Sequence, residues 1–388
     1  MGQVVAKSGK SATDSLSIGQ VLPHALCDSK GELLLPTGQQ VTGEFLNRLK
    51  RSQISEVYLV EHRPNGKALA GTPPDPLAIL PYDSLALQRL EVYYDDMVAS
   101  VSDFAKRLSQ GQKTRIDEFE EAVDNYLSLL VKDRGVVLAS CAGIDPLSDQ
   151  SHDAILARRS VLMSIMATAV ATQIGMDSVD CRAAGIAAAI HDVSLFGELP
   201  GISKQRYLDH PIRSALSLAD TFGITPQLKI IIGQVHEQCD GSGFPRGLTQ
   251  QRLHPVSRIL NLVDAYLTLI EPHGADHKCF APSDAVAYLV QQAIYGYFDP
   301  ECVRGLLATA SVYPVGSQVR LDDSSTATVL RSTGSSYLEP VVQLHDAAKT
   351  IIDLRFSARI IIAPIDDSNR YRRLSKTILD NVLWTFAA

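Results

Sequence analysis

The spacing of apolar and polar positions divides the chain into stretches of different period. From Leu16 to Gln40 the text is strand-like, with turn signals at Asp28-Ser29-Lys30-Gly31 and Pro36-Thr37-Gly38, which predicts a hairpin. A short amphipathic helix from Thr42 to Arg51 and a strand from Ile54 to Val60 complete a small N-terminal α+β module over residues 15–62. Residues 1–14 are small and polar and predict a disordered arm. Residues 63–83, rich in proline and glycine, read as a linker. Residues 84–149 read as a helical lead-in. Within it Leu87, Leu90, Tyr94, Met97, Val101, Phe104 and Leu108 step by three and four, a three-heptad seam. Two readings of that seam stay open: a stripe packed on its own domain, or a homodimer contact through the 87–108 helix. A second helix follows from Arg115 to Lys132.

Residues 150–310 are helical in pattern. Gly175, Gly223 and Gly274 serve as stops, and Pro226 and Pro255 as first-turn residues. After Tyr313 the period changes to short β-type runs, VGSQVRLDD, TATVLR, PVVQLHD and ARIIIAPI, followed by a predicted terminal helix from Tyr371 to Trp384. The fold class is therefore mainly α, a helical bundle with a small α+β module before it and a β extension over 311–388.

Length adds a bound: 388 residues suit two to three folding units. A net charge of −7 argues against non-specific nucleic-acid or anionic-membrane binding. Six scattered cysteines with no C-x-x-C pair read as reduced thiols of a cytoplasmic protein. The N-terminus has no apolar signal region, and Ala6 stands where a myristoylation signal needs Ser or Thr. No membrane anchor is expected.

The chemistry concentrates in the helical block, where six of the ten histidines lie between His191 and His277. His-Asp occurs three times. His345-Asp346 falls at a strand end, and Asp153 of His152-Asp153 suits a helix N-terminus, so neither pair carries a signal. His191-Asp192 differs because it closes a small-residue helix, CRAAGIAAAI, that lets neighbours approach closely. His210, His236, the run DGSGFP and Asp264 in RILNLVDAY follow it. Histidines and carboxylates converging from several helices are how a bundle builds a metal centre. That donor set suits iron, manganese or zinc.

The order HD, HP, HEQCDGSGFPRGL and RIL-x-x-x-DAY resembles the HD-GYP domain of the HD phosphohydrolases over residues 150–310. The resemblance implies a helical bacterial domain that binds two or three iron or manganese ions and hydrolyses cyclic di-GMP. His191, Asp192, His210, His236 and Asp264 match the family's metal ligands, with Asp192 the catalytic residue that bridges two ions. Gly241, Gly243, Phe244, Arg246 and Arg258 are the expected ligand-binding residues, the glycines letting backbone approach the ligand and Phe244 offering a ring to guanine.

Departures from the pattern are equally specific. Ile155 and Arg159 stand where the family's first helix supplies a Glu and a His, and His152 lies two turns away, about 10.5 Å, too far to substitute. Val235 replaces one of two consecutive histidines, Leu195 the family's lysine, and Phe244 its tyrosine. His273 and Asp276 align with its phosphate-gripping R-x-x-K, and Leu267 with a second aspartate. An arginine at a metal site opposes ion binding unless it points away. Two functions follow as expectations. One is a degenerate HD-GYP protein acting as sensor or interaction module in cyclic di-GMP signalling, with weak or no hydrolysis, a metal bound fully, in part or not at all, and protein partners in that pathway. The other is a metal-dependent cyclic di-GMP phosphodiesterase with a reduced dinuclear centre.

Overall fold

The structure is a computed structural model. It describes residues 10–12, 16–20, 25–27, 33–35, scattered positions of 41–50, then 56–60, 84–142, 151–198, 202–271, 279–334, 336–365 and 371–372, with 10–12, 25–27, 33–35, 58–60, 84–89, 131–142 and 371–372 as backbone only. Residues Met1–Leu69 and Ala70–Ala388 are separate compact units.

In the first unit, β2 (Ala25–Cys27) and β3 (Leu33–Leu35) pair antiparallel, as the predicted hairpin requires, while the Asp28–Gly31 turn signal lies outside the described residues. The strand β4 (Glu56–Val60) pairs antiparallel with β2 on one side and with β1 (Lys10–Ala12) on the other, giving the sheet order β1-β4-β2-β3. Three residues of the expected disordered arm are thus an edge strand, because β4 has a free side to which Lys10–Ala12 adds. Gly43, Leu46, Leu49 and Lys50 are helical, within the predicted helix. The linker of residues 63–83 lies outside the described residues.

The second unit opens with α1 (Ser84–Ser109) and α2 (Asp117–Ala142), followed by α3 (His152–Gln173), α4 (Ser178–Ile190), α5 (Lys204–Ser217), α6 (Pro226–Ile232), α7 (Pro255–Ile270), α8 (Pro282–Ile294) and α9 (Pro300–Ala310). Side-chain oxygens of Ser151, Asp177, Ser203 and Thr225 accept backbone N–H groups at the starts of α3, α4, α5 and α6. These caps satisfy donors that a helix start leaves without partners. Pro226 and Pro255 occupy first-turn positions as predicted. Gly274 lies outside the described residues.

The heptad seam resolves in favour of the chain's own core. Leu90, Tyr94, Met97, Val101 and Phe104 are buried in one cluster with Ile116, Phe119 and Val123 of the α2 region and Val161 and Ile165 of α3. Phe104 meets Phe119 edge to face at 5.2 Å between ring centroids. These five seam positions face the chain's own core.

The central helix α3 is apolar nearly all round. By length and composition it is the one helix among the described residues that could cross a membrane, and 78% of its most apolar window is buried inside the bundle. A core helix surrounded on all sides needs no polar face, which accounts for the composition. Against it lies α4, whose small residues permit close approach: a Cβ added at Gly185 would sit 2.6 Å from Thr168 Oγ1 and 2.7 Å from Val123 Cγ2. Gly185→Val should therefore destabilise the fold by about 1–3 kcal/mol, the usual cost of overpacking. Urea unfolding followed by circular dichroism measures it, and an unchanged midpoint would contradict the packing described.

The C-terminal region is a five-stranded antiparallel sheet in the order β10-β6-β7-β8-β9, built from β6 (Gln318–Leu321), β7 (Thr326–Arg331), β8 (Val341–Leu344), β9 (Ile351–Asp353) and β10 (Ile361–Pro364). It has its own core of Val319, Leu321, Ala327, Val329, Val342, Leu344 and Leu354. The His345 ring meets the hydroxyls of Thr326 and Thr328, a purely structural role. Tyr371 does not begin a helix. Tyr371–Arg372 form β11, which pairs parallel with β5 (Cys279–Phe280), whose buried apolar side chains anchor the pair. The remainder of the predicted terminal helix lies outside the described residues.

Candidate metal centre

One helix end, two helix interiors and one turn bring the predicted residues together. His191 caps α4, and Asp192 follows it at the start of the 3₁₀ turn Val193–Leu195. His210 lies within α5, His236 in the turn after α6, and Asp264 on α7. His191, Asp192, His210 and His236 are all buried.

The geometry separates these five residues into two halves. Asp192 Oδ1 lies 3.1 Å from His210 Nε2, and His210 Nε2 lies 3.0 Å from His236 Nε2. Asp192, His210 and His236 form the one group among the described residues whose donor atoms converge closely enough to hold an ion. Donors sharing an ion at about 2.1 Å lie roughly 3.0–3.4 Å apart, so the spacing fits. Proton positions fit as well. His210 Nδ1 donates to the Tyr207 carbonyl, and His236 Nδ1 faces Asp264 Oδ2 at 3.3 Å. With the proton on Nδ1, each ring turns its Nε2 lone pair toward the other, an arrangement that a cation between them relieves. Asp192 Oδ1 is buried without a hydrogen-bond partner, as expected of an atom meant for a metal.

His191 stands on the other side of Asp192. Its Nδ1 donates to the Ala188 carbonyl at 2.8 Å, while Nε2 approaches Asp192 Oδ2 at 3.1 Å, buried and without hydrogen-bond geometry. Burial opposes a charged His191, yet the Asp192 carboxylate raises its pKa above the ordinary value. Burial likewise opposes a charged Asp192, and His191 and His210 hold its carboxyl well below the usual range. His236 is shifted down, first by burial. The centre is built to keep one carboxylate ionised among imidazoles.

Asp264 is engaged differently, because Arg159 points into the site. The Arg159 side chain is 6% exposed, and its Nη2 donates to Asp264 Oδ1 at 2.6 Å, to the Asp264 carbonyl at 3.0 Å and to Thr268 Oγ1 at 2.6 Å. Its Nη1 donates to Glu271. Burial alone would raise the Asp264 carboxyl; Arg159 and then His236 hold it well below the usual carboxylate range. Glu271 is raised by burial, with Arg159 offsetting part of that. The partners Thr268 and Glu271 escaped sequence reasoning. Their signal was the i, i+4, i+7 spacing of Asp264, Thr268 and Glu271 in DAYLTLIE, which puts three oxygen-bearing side chains on one face of α7. Ile155, the other departure on α3, is 36% exposed.

The loop after His236 has its own structural logic. A Cβ on Gly243 would lie 2.2 Å from Gln238 N and 2.5 Å from His236 O. The glycine is thus required by the loop folding back on the His236 backbone, where Phe244 N donates to His236 O, and not only by ligand approach. Gly241 adopts φ +88°, a left-handed turn position. The buried Glu237 carboxylate, missed from sequence, accepts N–H groups of Arg246 and Leu248 at 2.8 Å each and so fixes the loop. Phe244 stacks on His236 at 4.9 Å and 20° between rings, so part of the ring expected for a base already forms the wall of the centre. Tyr207, also missed, completes that wall at 5.0 Å from His210. Arg246 is exposed on the loop.

Arg258 is engaged by the protein itself. It bonds Asp299 at 3.1 Å and the Gln250 and Leu253 carbonyls at 3.0 and 3.2 Å. These acceptors engage Nη1 and Nη2 in bracing the loop, while Nε is buried without a hydrogen-bond partner. Leu195 and Leu267 are buried apolar side chains, whereas His273 and Asp276 lie outside the described residues.

Residues 147–302, which contain these His and Asp residues, match the profile of the HD domain family. Over this region the chain is similar to HD domain proteins. It is 26% identical over 207 residues to a cyclic di-GMP phosphodiesterase of Pseudomonas aeruginosa, covering 50% of this chain and 49% of that protein. It is 28% identical over 156 residues to the cyclic di-GMP phosphodiesterase response regulator RpfG of Xanthomonas campestris, covering 37% of this chain and 41% of that one. A 3′3′-cGAMP-specific phosphodiesterase of Vibrio cholerae is 22% identical over 167 residues, covering 41% and 36%. The chain spans about half the length, or less, of these relatives. A solved HDG"Y"P protein from Bdellovibrio bacteriovorus aligns with a TM-score of 0.46 at 16% identity, covering 77% of this chain and 97% of that one.

Proposed function

We propose that this chain is a degenerate HD-GYP protein of cytoplasmic cyclic di-GMP signalling, a sensor or interaction module with weak or no hydrolysis. The observation that carries the reading is the Arg159 guanidinium bound to Asp264, since a dinuclear hydrolytic centre needs that carboxylate for an ion. Leu195 in place of a lysine and Phe244 in place of a tyrosine remove two further polar groups from the phosphodiester's surroundings.

The half-centre of Asp192, His210 and His236 keeps the donor chemistry for one divalent ion, iron or manganese. A bound ion there would polarise a phosphoryl oxygen and acidify water. The protein's own groups do the rest. Tyr207 O fixes the His210 tautomer, Asp264 faces the His236 Nδ1, and Phe244 covers the rings from solvent. The intact half-centre favours the second reading, a phosphodiesterase with a reduced centre.

Chromatography of cyclic di-GMP after incubation with the anaerobically purified, metal-loaded chain separates the two. The expected result is no linear dinucleotide or mononucleotide above the metal-free background, with calorimetry detecting cyclic di-GMP binding. Turnover that Asp192→Ala abolishes would overturn the degenerate reading, and absence of binding up to high micromolar concentration would leave an interaction role alone.

A further inference from the structure

We infer that Arg159 is a built-in cation that reassigns Asp264 from metal ligand to positioning residue, so that the centre holds one ion per chain. The inference deepens the proposed function and rests on the same site, but it concerns metal stoichiometry and can fail separately.

Both oxygens of Asp264 are occupied by protein groups. Oδ1 accepts from Arg159 at 2.6 Å, and Oδ2 faces His236 Nδ1 at 3.3 Å. A carboxylate that accepts the Nδ1 proton of a ligating histidine orients the ring and makes its Nε2 a better donor. His236 Nε2 is the atom that converges on His210 Nε2 at 3.0 Å. The chain of contacts therefore runs from Arg159 through Asp264 to His236 and on to the group it forms with Asp192 and His210.

The oxygens around Arg159 have the character of a cation cage. Asp264 Oδ1, the Asp264 carbonyl, Thr268 Oγ1 and Glu271 all face the guanidinium. Hard oxygen ligands of this kind hold divalent ions in other settings. Here a tethered cation already fills the cage. Arg159 also feels the Asp192 carboxylate, so its charge bears on both halves of the site. A second divalent ion would have to displace a buried guanidinium from two carboxylates and then share their space with its charge.

The test counts ions in the full chain. Protein purified anaerobically, stripped of metal and reloaded with Mn²⁺ is read by native mass spectrometry and elemental analysis. One ion per wild-type chain is expected; two would overturn the inference without any variant having to fold. Asp264→Ala should keep a stoichiometry of one while weakening the affinity about 10- to 100-fold. Asp264→Asn should recover part of the loss, because an amide oxygen still accepts the His236 Nδ1 proton. If Asp264→Asn binds no better than Asp264→Ala and both lose the ion as Asp192→Ala does, Asp264 is a ligand and the inference fails. One ion with cyclic di-GMP turnover would sink the degenerate reading and leave this one standing. Two ions without turnover would do the reverse.

Discussion

Replacing Arg159 by methionine is expected to destabilise the protein by about 3–5 kcal/mol, the range found when one partner of a buried ion pair is removed. Methionine fills much of the arginine's volume, so the loss is chiefly electrostatic. Arg159 is 6% exposed, and its partners Asp264 and Glu271 are 16% and 22% exposed, so water screens the abandoned carboxylates poorly. Asp264 would face Glu271 with no cation between them. Arg159→Lys should lie between wild type and methionine, because an ammonium keeps the charge but lacks the planar fork that reaches Asp264, Thr268 and Glu271 together.

The pH dependence has a definite sign. Asp264 is held below its ordinary pKa in the folded state, so its contribution is present above the unfolded value, roughly 4, and is lost as pH falls toward the folded one. The difference between wild type and Arg159→Met should therefore be largest near neutrality and shrink on acidification. Urea denaturation at several pH values measures it. A methionine variant as stable as wild type at pH 7 would show that the guanidinium contributes nothing net.

How much of this was legible in the sequence depends on the distance over which each residue finds its partners. The order His191-Asp192, His210, His236, Asp264 is a one-dimensional signal, and the structure brings those residues to one place. That Arg159 occupies a ligand position was also legible. Which way it points was not, since its partners lie 105 to 112 residues away on another helix and the outcome is set by how α3 packs on α7. The partners of Arg258 were hidden for the same reason: Asp299 is 41 residues distant, and nothing local distinguishes a bracing arginine from a phosphate contact. The heptad stripe was legible as an apolar seam, but the identity of the partner surface depends on α2 and α3, which sequence period cannot choose. Edge pairings such as Lys10–Ala12 on β4 and Tyr371–Arg372 on β5 are three residues or fewer, too short for any periodicity to register.

Asp192→Ala is expected to weaken divalent-ion binding by at least about 100-fold, the worth of one ligand when some 10–16 kcal/mol of metal affinity is divided among four. Asp192 is the only carboxylate in the converging group, and its two oxygens face different histidines, Oδ2 toward His191 and Oδ1 toward His210, each at 3.1 Å. Its loss removes the anion that neutralises the ion and leaves two imidazoles to hold it. The metal-free fold should lose stability as well, because His191 and His210 hold the Asp192 carboxyl well below the usual range, a net stabilisation that goes with the side chain. Thermal unfolding with and without Mn²⁺ separates the two effects. At a free metal concentration of about 100 times Kd the wild type should gain about 2.7 kcal/mol, and Asp192→Ala at the same concentration about 0.4 kcal/mol or less. An Asp192→Ala protein that Mn²⁺ stabilises as strongly as wild type would place the ion elsewhere, and would remove the centre on which the functional reading depends.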